Sequence, residues 1–259
     1  MEHIDKKSKI EMQEDQLELA RKTIVEAARS AGKMLKEHWS NEGEINLEFK
    51  GDTNVDIVTQ CDKKAEDIII SLFTQRFPDW DILAEESGKH NKEGALFRWI
   101  IDPLDGTTSF AHGHPCFSVS IGLQDIKKNE IILGCVYSPT LDELFFAEKG
   151  KGATKNGKPI HVSKKTELIH SLVASGFPYD RKQCKDKIES NLPYFNSTVT
   201  EIRGFRRNGS AAIDMVAFFF FFDCNSFFTL LMHKKIVLGC MWKTRCLLGM
   251  EIVPMGCFR

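Results

Sequence analysis

The sequence predicts an α+β protein. Two segments of helical period open the chain, short β-branched and aromatic runs fill its middle, and further helical segments follow. From Gln16 to Trp39 apolar residues recur at helical spacing (Leu17, Ala20, Ile24, Ala27, Ala31, Leu35), giving one core-facing stripe behind a polar N-terminal segment. A second helix is expected from Asp62, as N-cap, to about Phe77, with Ile68, Ile69, Leu72 and Phe73 buried and Pro78 as its stop. The period then changes. WDILAEES, FRWIID, FSVSIGLQDI, EIILGCVYS and ELFFAEK read as strands, with KKNE a hairpin turn and Asn156-Gly157 another. A strand is expected over Leu172–Phe177, a polar helix over Arg181–Asn191, a strand at EIRGF and a helix from GSAAIDMVA.

Composition narrows the function classes. With 259 residues, 42% apolar and 27% charged, the chain has material for a buried core of ordinary soluble type. A net charge of −1 offers no pull toward nucleic acid or an anionic membrane. The start, MEHIDKKSKIEMQEDQ, has no apolar h-region, and residues 1–217 hold no apolar stretch long enough to span a bilayer. Eight cysteines occur, without CxxC or zinc-ligand spacing, so reduced thiols and a cytoplasmic setting are expected.

The chemistry concentrates in WIIDPLDGTTSF. An apolar strand delivers Asp102 at its end, Pro103 is expected to end the ladder, and Asp105-Gly106 turns the chain. Two carboxylates three residues apart across a proline corner, with the Leu104 carbonyl between them, suit a hard divalent cation. Gly106, Thr107 and Thr108 follow; a helix starting there would aim free N–H groups at a phosphate. Upstream, strand alternation in ILAEES sends Glu85 and Glu86 to opposite faces, so one of them should join the site. A metal pocket beside an anion cradle is what metal-assisted phosphate ester hydrolysis needs.

These segments carry a resemblance. AEES followed by WIIDPLDGTTSFAHGHPCFSVSIGL is similar to the metal-binding signature of the inositol monophosphatase family. KGDTNVDIVTQCD, ILGCVYSPTLDELFFAEKGKGA, NGKPIHVS and RRNGSAAIDM extend it collinearly to about Ala217. The resemblance implies a layered αβαβα sandwich, a homodimer, Mg2+ as cofactor, a small phosphorylated substrate and sensitivity to lithium. It implies metal ligation by Glu85, Asp102, Asp105 and the carbonyl of Leu104. Thr107 and Asp62, with Glu85, would orient the attacking water; Leu104 to Thr107, including Gly106, would hold the phosphate. Gly209, Ser210 and Ala211 would contact the inositol ring. The implied reaction is in-line attack of metal-activated water on phosphorus, with no covalent phosphoenzyme and no nucleophilic role for Cys116, Ser118 or Ser120. His112 and His114 are expected to be structural or solvated, and Lys127-Lys128 a solvated turn.

After Ala217 the family pattern stops. Residues 218–259 hold eight of nineteen phenylalanines, four of eight cysteines and only two acids, Asp223 and Glu251. Trp242 is followed by Lys243 where the family pattern has a metal-ligating aspartate. The expected organisation is an incomplete domain over 1–217 and an aberrant tail, read either as the product of a reading-frame change near codons 217 to 222 or as a divergent apolar element that packs on the core, with a membrane-seeking segment disfavoured because Asp223, Asn225, His233, Lys234 and Lys235 interrupt the apolar run. The leading functional expectation is hydrolysis of inositol 1-phosphate. The alternatives are another small ester (fructose bisphosphate, adenosine bisphosphate, histidinol phosphate), or a binding protein such as family members that partner RNA polymerase complexes.

Overall fold

A computed structural model describes residues 12–40, 47–49, 57–161, 163, 167–176 and 192–218. The expected helix over 181–191, residues 50–56 of the KGDTNVDIVTQCD segment and the tail beyond 218 lie outside the described residues.

Two long helices, α1 (Glu14–Ser40) and α2 (Gln60–Arg76), lie on one face of an eight-stranded sheet. Between them β1 (Leu47–Phe49) pairs antiparallel with β2 (Ile57–Thr59). The large sheet comprises β3 (Asp81–Ala84), β4 (Gly88–His90), β5 (Phe97–Asp105), β6 (Ser118–Asp125), β7 (Glu130–Ser138), β8 (Glu143–Glu148), β9 (Gly152–Lys155) and β10 (Lys158–Ile160). Its spatial order is β10-β9-β8-β7-β6-β5-β3-β4. Every pairing is antiparallel except β3 with β5. The helix α3 (Thr107–Ala111) follows β5 directly. Later elements are β11 (Leu172–Ala174), α4 (Leu192–Thr198), β12 (Gly204–Arg206) and α5 (Ala211–Phe218).

The α1 stripe is as the period predicts: Ala20, Ile24, Ala27, Ala31 and Leu35 are buried against the sheet, and Leu17 is half-buried beside them. Small alanines let α1 come close, while aromatic residues fill the space under α2. Phe73 stacks on Trp99 of β5 with ring centroids 4.0 Å apart, and Phe77 and Trp80 close the cluster. Trp99→Ala would empty this centre and is expected to cost about 3–5 kcal/mol in urea unfolding. The Trp99 indole N–H is buried and has no hydrogen-bond partner among the described residues, so Trp99→Phe should cost much less than Trp99→Ala.

The opposite face of the sheet is covered by α5. Ala212 and Val216 pack on Ile100, Val136, Phe145 and Ala147. Trp99 and Ile101 thus face α1 and α2 while Ile100 faces α5, the period-2 alternation of a strand buried on both sides. Beyond α5, β11 and β12 form a parallel pair that contacts it. The order helices, sheet, helix, sheet is that of the layered sandwich the resemblance implies.

Several local expectations are corrected. The N-cap of α2 is Thr59; Asp62 is its N3 residue, and the two form a capping box. Ile68 and Leu72 are only half-buried. Pro103 does not end its strand: β5 runs on to Asp105 through a bulge, in which Asp102 pairs with Ser120 and Asp105 with Ser118. The bulge absorbs the missing proline N–H. Glu85 and Glu86 lie in a turn after β3, so strand alternation does not sort them. The strand at Leu172 is three residues long, and EIRGF contributes only its last two residues to β12.

Candidate active site

The one parallel pairing described within the large sheet, β3 with β5, positions the site. It brings the C-terminal ends of β3 and β5 to the same edge, with Ala84 opposite Ile101. The Glu85 N–H donates to the Ile101 carbonyl at 3.1 Å, carrying the pairing one step further. Glu85 therefore stands beside Asp102 in the strand register, although seventeen positions separate them in sequence. Carboxyl ends of parallel strands are where open α/β sheets bind ligands.

The bulge then bends the chain under this edge. The Leu104 N–H donates to Asp102 Oδ1 at 3.2 Å, the Leu104 side chain is buried, and its carbonyl lies 3.0 Å from the Thr107 hydroxyl. Gly106 adopts φ +93°, and a Cβ there would lie 2.9 Å from the Cys116 carbonyl oxygen. Both the backbone angle and the close approach require glycine. As N-cap of α3 it brings no side chain, so the first turn of α3 has no side-chain cap from it.

Thr107 joins the pieces. Its hydroxyl lies 3.1 Å from Asp62 Oδ1 and 3.0 Å from the Leu104 carbonyl. It has one proton and so donates to one of them at a time. Asp62 is oriented for this contact. Its Oδ2 accepts from the Thr59 N–H at 2.8 Å and the Thr59 hydroxyl at 2.7 Å, leaving Oδ1 for Thr107.

Asp105 has a different role in the geometry. Its Oδ2 accepts from the Ser210 hydroxyl at 2.5 Å and the Ala212 N–H at 2.7 Å, both buried. The carboxylate sits at the positive end of α5, where helix dipole and free amides favour it. Ser210 is 0% exposed and caps α5 by accepting from the Ile213 N–H at 3.1 Å, with Ser118 3.0 Å away. Its hydroxyl is engaged in this cap and tie. Gly209, at φ +106°, places its carbonyl against the Gly106 position, so the starts of α3 and α5 converge. Ala211 opens α5. Next to this corner, burial pushes the Asp214 carboxyl up from its ordinary value, while Asn208 donates to it through backbone and side chain.

Burial pushes the Cys116 thiol up to about 11, which keeps it protonated at neutral pH. Ser118 and Ser120 are buried in β6. His112 and His114 are exposed, His112 near the Thr108 carbonyl at 2.8 Å. Lys127 and Lys128 are exposed in the β6–β7 turn.

Glu85, Asp102, Asp105 and the Leu104 carbonyl offer only oxygen donors, which in kind fits a hard divalent cation. Among the described residues no three His, Cys, Asp or Glu side chains already stand close enough together to hold one. No helix among the described residues is long and apolar enough to cross a membrane.

The chain has known relatives. The description "Inositol monophosphatase family" fits residues 16–218. The chain is similar to an inositol-1-monophosphatase of Synechocystis sp., 44% identical over 193 residues, which are 74% of this chain and 64% of that one. It thus spans somewhat under two thirds of that relative's length. A fructose-1,6-bisphosphatase/inositol-1-monophosphatase of Aquifex aeolicus is 39% identical, covering 73% of this chain and 69% of that protein. The crystal structure of the extragenic suppressor protein SuhB from Bartonella henselae matches with a TM-score of 0.68 and 34% identity, over 77% of this chain and 74% of that one. From fold, signature and relatives together, the chain belongs to the inositol monophosphatase family.

Proposed function

We propose that this chain is a Mg2+-dependent phosphomonoesterase that hydrolyses inositol 1-phosphate. The observation that carries the reading is the contact of Thr107 with Asp62 beside the Glu85–Asp102 edge. Glu85, Asp102, the Leu104 carbonyl and Asp105 through its Oδ1 would hold the cation. When bound, Mg2+ supplies positive charge that neutralises phosphoryl oxygens and lowers the pKa of water.

The chain's own residues do the rest. A Thr107 hydroxyl that donates to Asp62 Oδ1 keeps its lone pairs for a water proton. That orients the water oxygen toward phosphorus, and the proton can pass to Thr107 Oγ1 as the hydroxyl proton moves to Asp62. First-turn amides of α3 take the phosphate oxygens, and Gly106 lets them approach. The converging start of α5 at Gly209–Ala211 borders the alcohol side. Thr107→Ala is expected to lower kcat by about 10²-fold while the melting temperature holds, measured by phosphate release and thermal unfolding.

The substrate is tested by kcat/KM on inositol 1-phosphate, fructose 1,6-bisphosphate, adenosine bisphosphate and histidinol phosphate, with and without Li+. Highest turnover on inositol 1-phosphate, suppressed by Li+, is the expected result. Preference for a bisphosphate would replace the substrate and keep the chemistry. Binding of polymerase components without phosphate release would replace the enzyme reading. The homodimer implied by the family and the cytoplasmic setting expected from the cysteine pattern are part of the same proposal, the first checked by light scattering. The family match ends at residue 218, where the composition shifts, and this supports reading 218–259 as a foreign tail; resequencing codons 217 to 222 tests it.

A further inference from the structure

The turn that carries Glu85 is held by a residue outside the family signature. After Ala84 the chain leaves the sheet, and the Glu86 and Ser87 amides have no strand ladder to join. Glu66 of α2 takes both. Its Oε2 accepts from the Glu86 N–H at 2.8 Å and its Oε1 from the Ser87 N–H at 2.8 Å. Glu66 is 3% exposed, and burying a carboxylate is costly unless it is fully used. Two oxygens on two successive amides form a bidentate, charge-assisted clamp, which fixes direction as well as distance.

The placement adds a second link. Glu66 stands four residues after Asp62, on the same buried face of α2. Asp62 holds Thr107, and Glu66 holds the turn bearing Glu85. One helix face therefore sets the registry between the water-orienting arm and the cation-binding arm.

We propose that Glu66 is a positioning residue, which fixes the Glu85–Ser87 turn and so presents the Glu85 carboxylate to a divalent cation. This rests on the cation role given to Glu85 above. A glutamine at 66 keeps one acceptor oxygen but turns an NH2 toward the other amide, so the turn loses half of its clamp.

The test is Mn2+ binding to the full chain, read from the electron paramagnetic resonance of free Mn2+, for wild type, Glu66→Gln and Thr107→Ala. Glu66→Gln is expected to weaken Mn2+ binding about 10-fold or more, as loss of a supporting partner does. Its kcat at saturating Mg2+ should stay within about twofold of wild type, the metal requirement alone rising. Thr107→Ala should do the reverse, lowering kcat with Mn2+ binding unchanged. Glu66→Gln that binds Mn2+ like wild type and only melts lower would overturn the proposal and leave a structural clamp. Wild type that binds no Mn2+ overturns it together with the cation role of Glu85. Wild type that binds Mn2+ without releasing phosphate contradicts the phosphatase reading alone, and the Mn2+ comparison still decides Glu66. Hydrogen exchange on wild type supplies a measurement independent of any variant. Mg2+ should slow exchange at the Glu86 and Ser87 amides, and an unchanged rate overturns the proposal.

Discussion

Asp102→Asn is expected to reduce Mg2+-dependent phosphate release by about 10²-fold or more, since it removes charge stabilisation at the reacting phosphate. The substitution is nearly isosteric. An asparagine oxygen can still accept from the Leu104 N–H, the bond that shapes the bulge. What disappears is the negative charge, and with it the attraction for a divalent cation at the β3–β5 edge. Fold and stability should therefore survive, and without Mg2+ the variant should melt close to wild type. Paired kinetics and thermal melts decide the matter. Activity and melting temperature falling together would make Asp102 a structural residue and remove it from the ligand set.

Asp105→Ala is expected to lose both stability and turnover. Two buried donors, the Ser210 hydroxyl and the Ala212 N–H, share Asp105 Oδ2, and truncation leaves both without their acceptor. Hydrogen bonds to a charged group contribute about 1.5–3 kcal/mol each, so about 3 kcal/mol or more should be lost in urea unfolding. Asp105→Asn separates the two roles. Its amide oxygen can keep one or both donors, so stability should fall by about 1 kcal/mol while the charge that serves a cation is gone. A stable Asp105→Ala chain would show that α5 is anchored by its apolar contacts with Ile100 and Val136 alone.

The parts of this molecule that sequence reading reached share one property: their meaning is local. The α1 stripe is legible because burial on one helix face leaves a 3.6-residue period. Asp102, Asp105, Gly106 and Thr107 are legible because they fall within six residues whose types suit cation and phosphate together. Where a side chain's role depends on a distant partner, sequence gave less. Asp62 reads as an N-cap, since acid before an apolar run signals one. It is the N3 member of a capping box because Thr59 precedes it by three residues, a pattern present in the sequence as T-x-x-D. Pro103 reads as a strand terminator, and only the pairing with β6 reveals the bulge that carries β5 past it. The alternation argument for Glu85 and Glu86 fails because β3 stops at Ala84. Glu66 left no signal at all, for a glutamate in a polar-looking helix reads as solvated until the Glu86 and Ser87 amides are seen to face it.

The structure also redistributes work among residues that resemblance treats alike. Ser210, expected at the inositol ring, has its hydroxyl in the buried tie between α5 and Asp105. Thr107, expected to orient water, has the free valence and the partner for it in Asp62. On the proposed function the catalytic burden would fall on α2, the β3–β5 edge and the start of α3, all within the described residues.

The most direct test is phosphate release from inositol 1-phosphate by the purified 259-residue chain, titrated with Mg2+ from zero. Turnover that is absent without Mg2+, saturates with it and disappears in Asp102→Asn is the result expected. Folded, soluble chain that releases no phosphate at any Mg2+ concentration would contradict the account, leaving the family fold without the proposed chemistry.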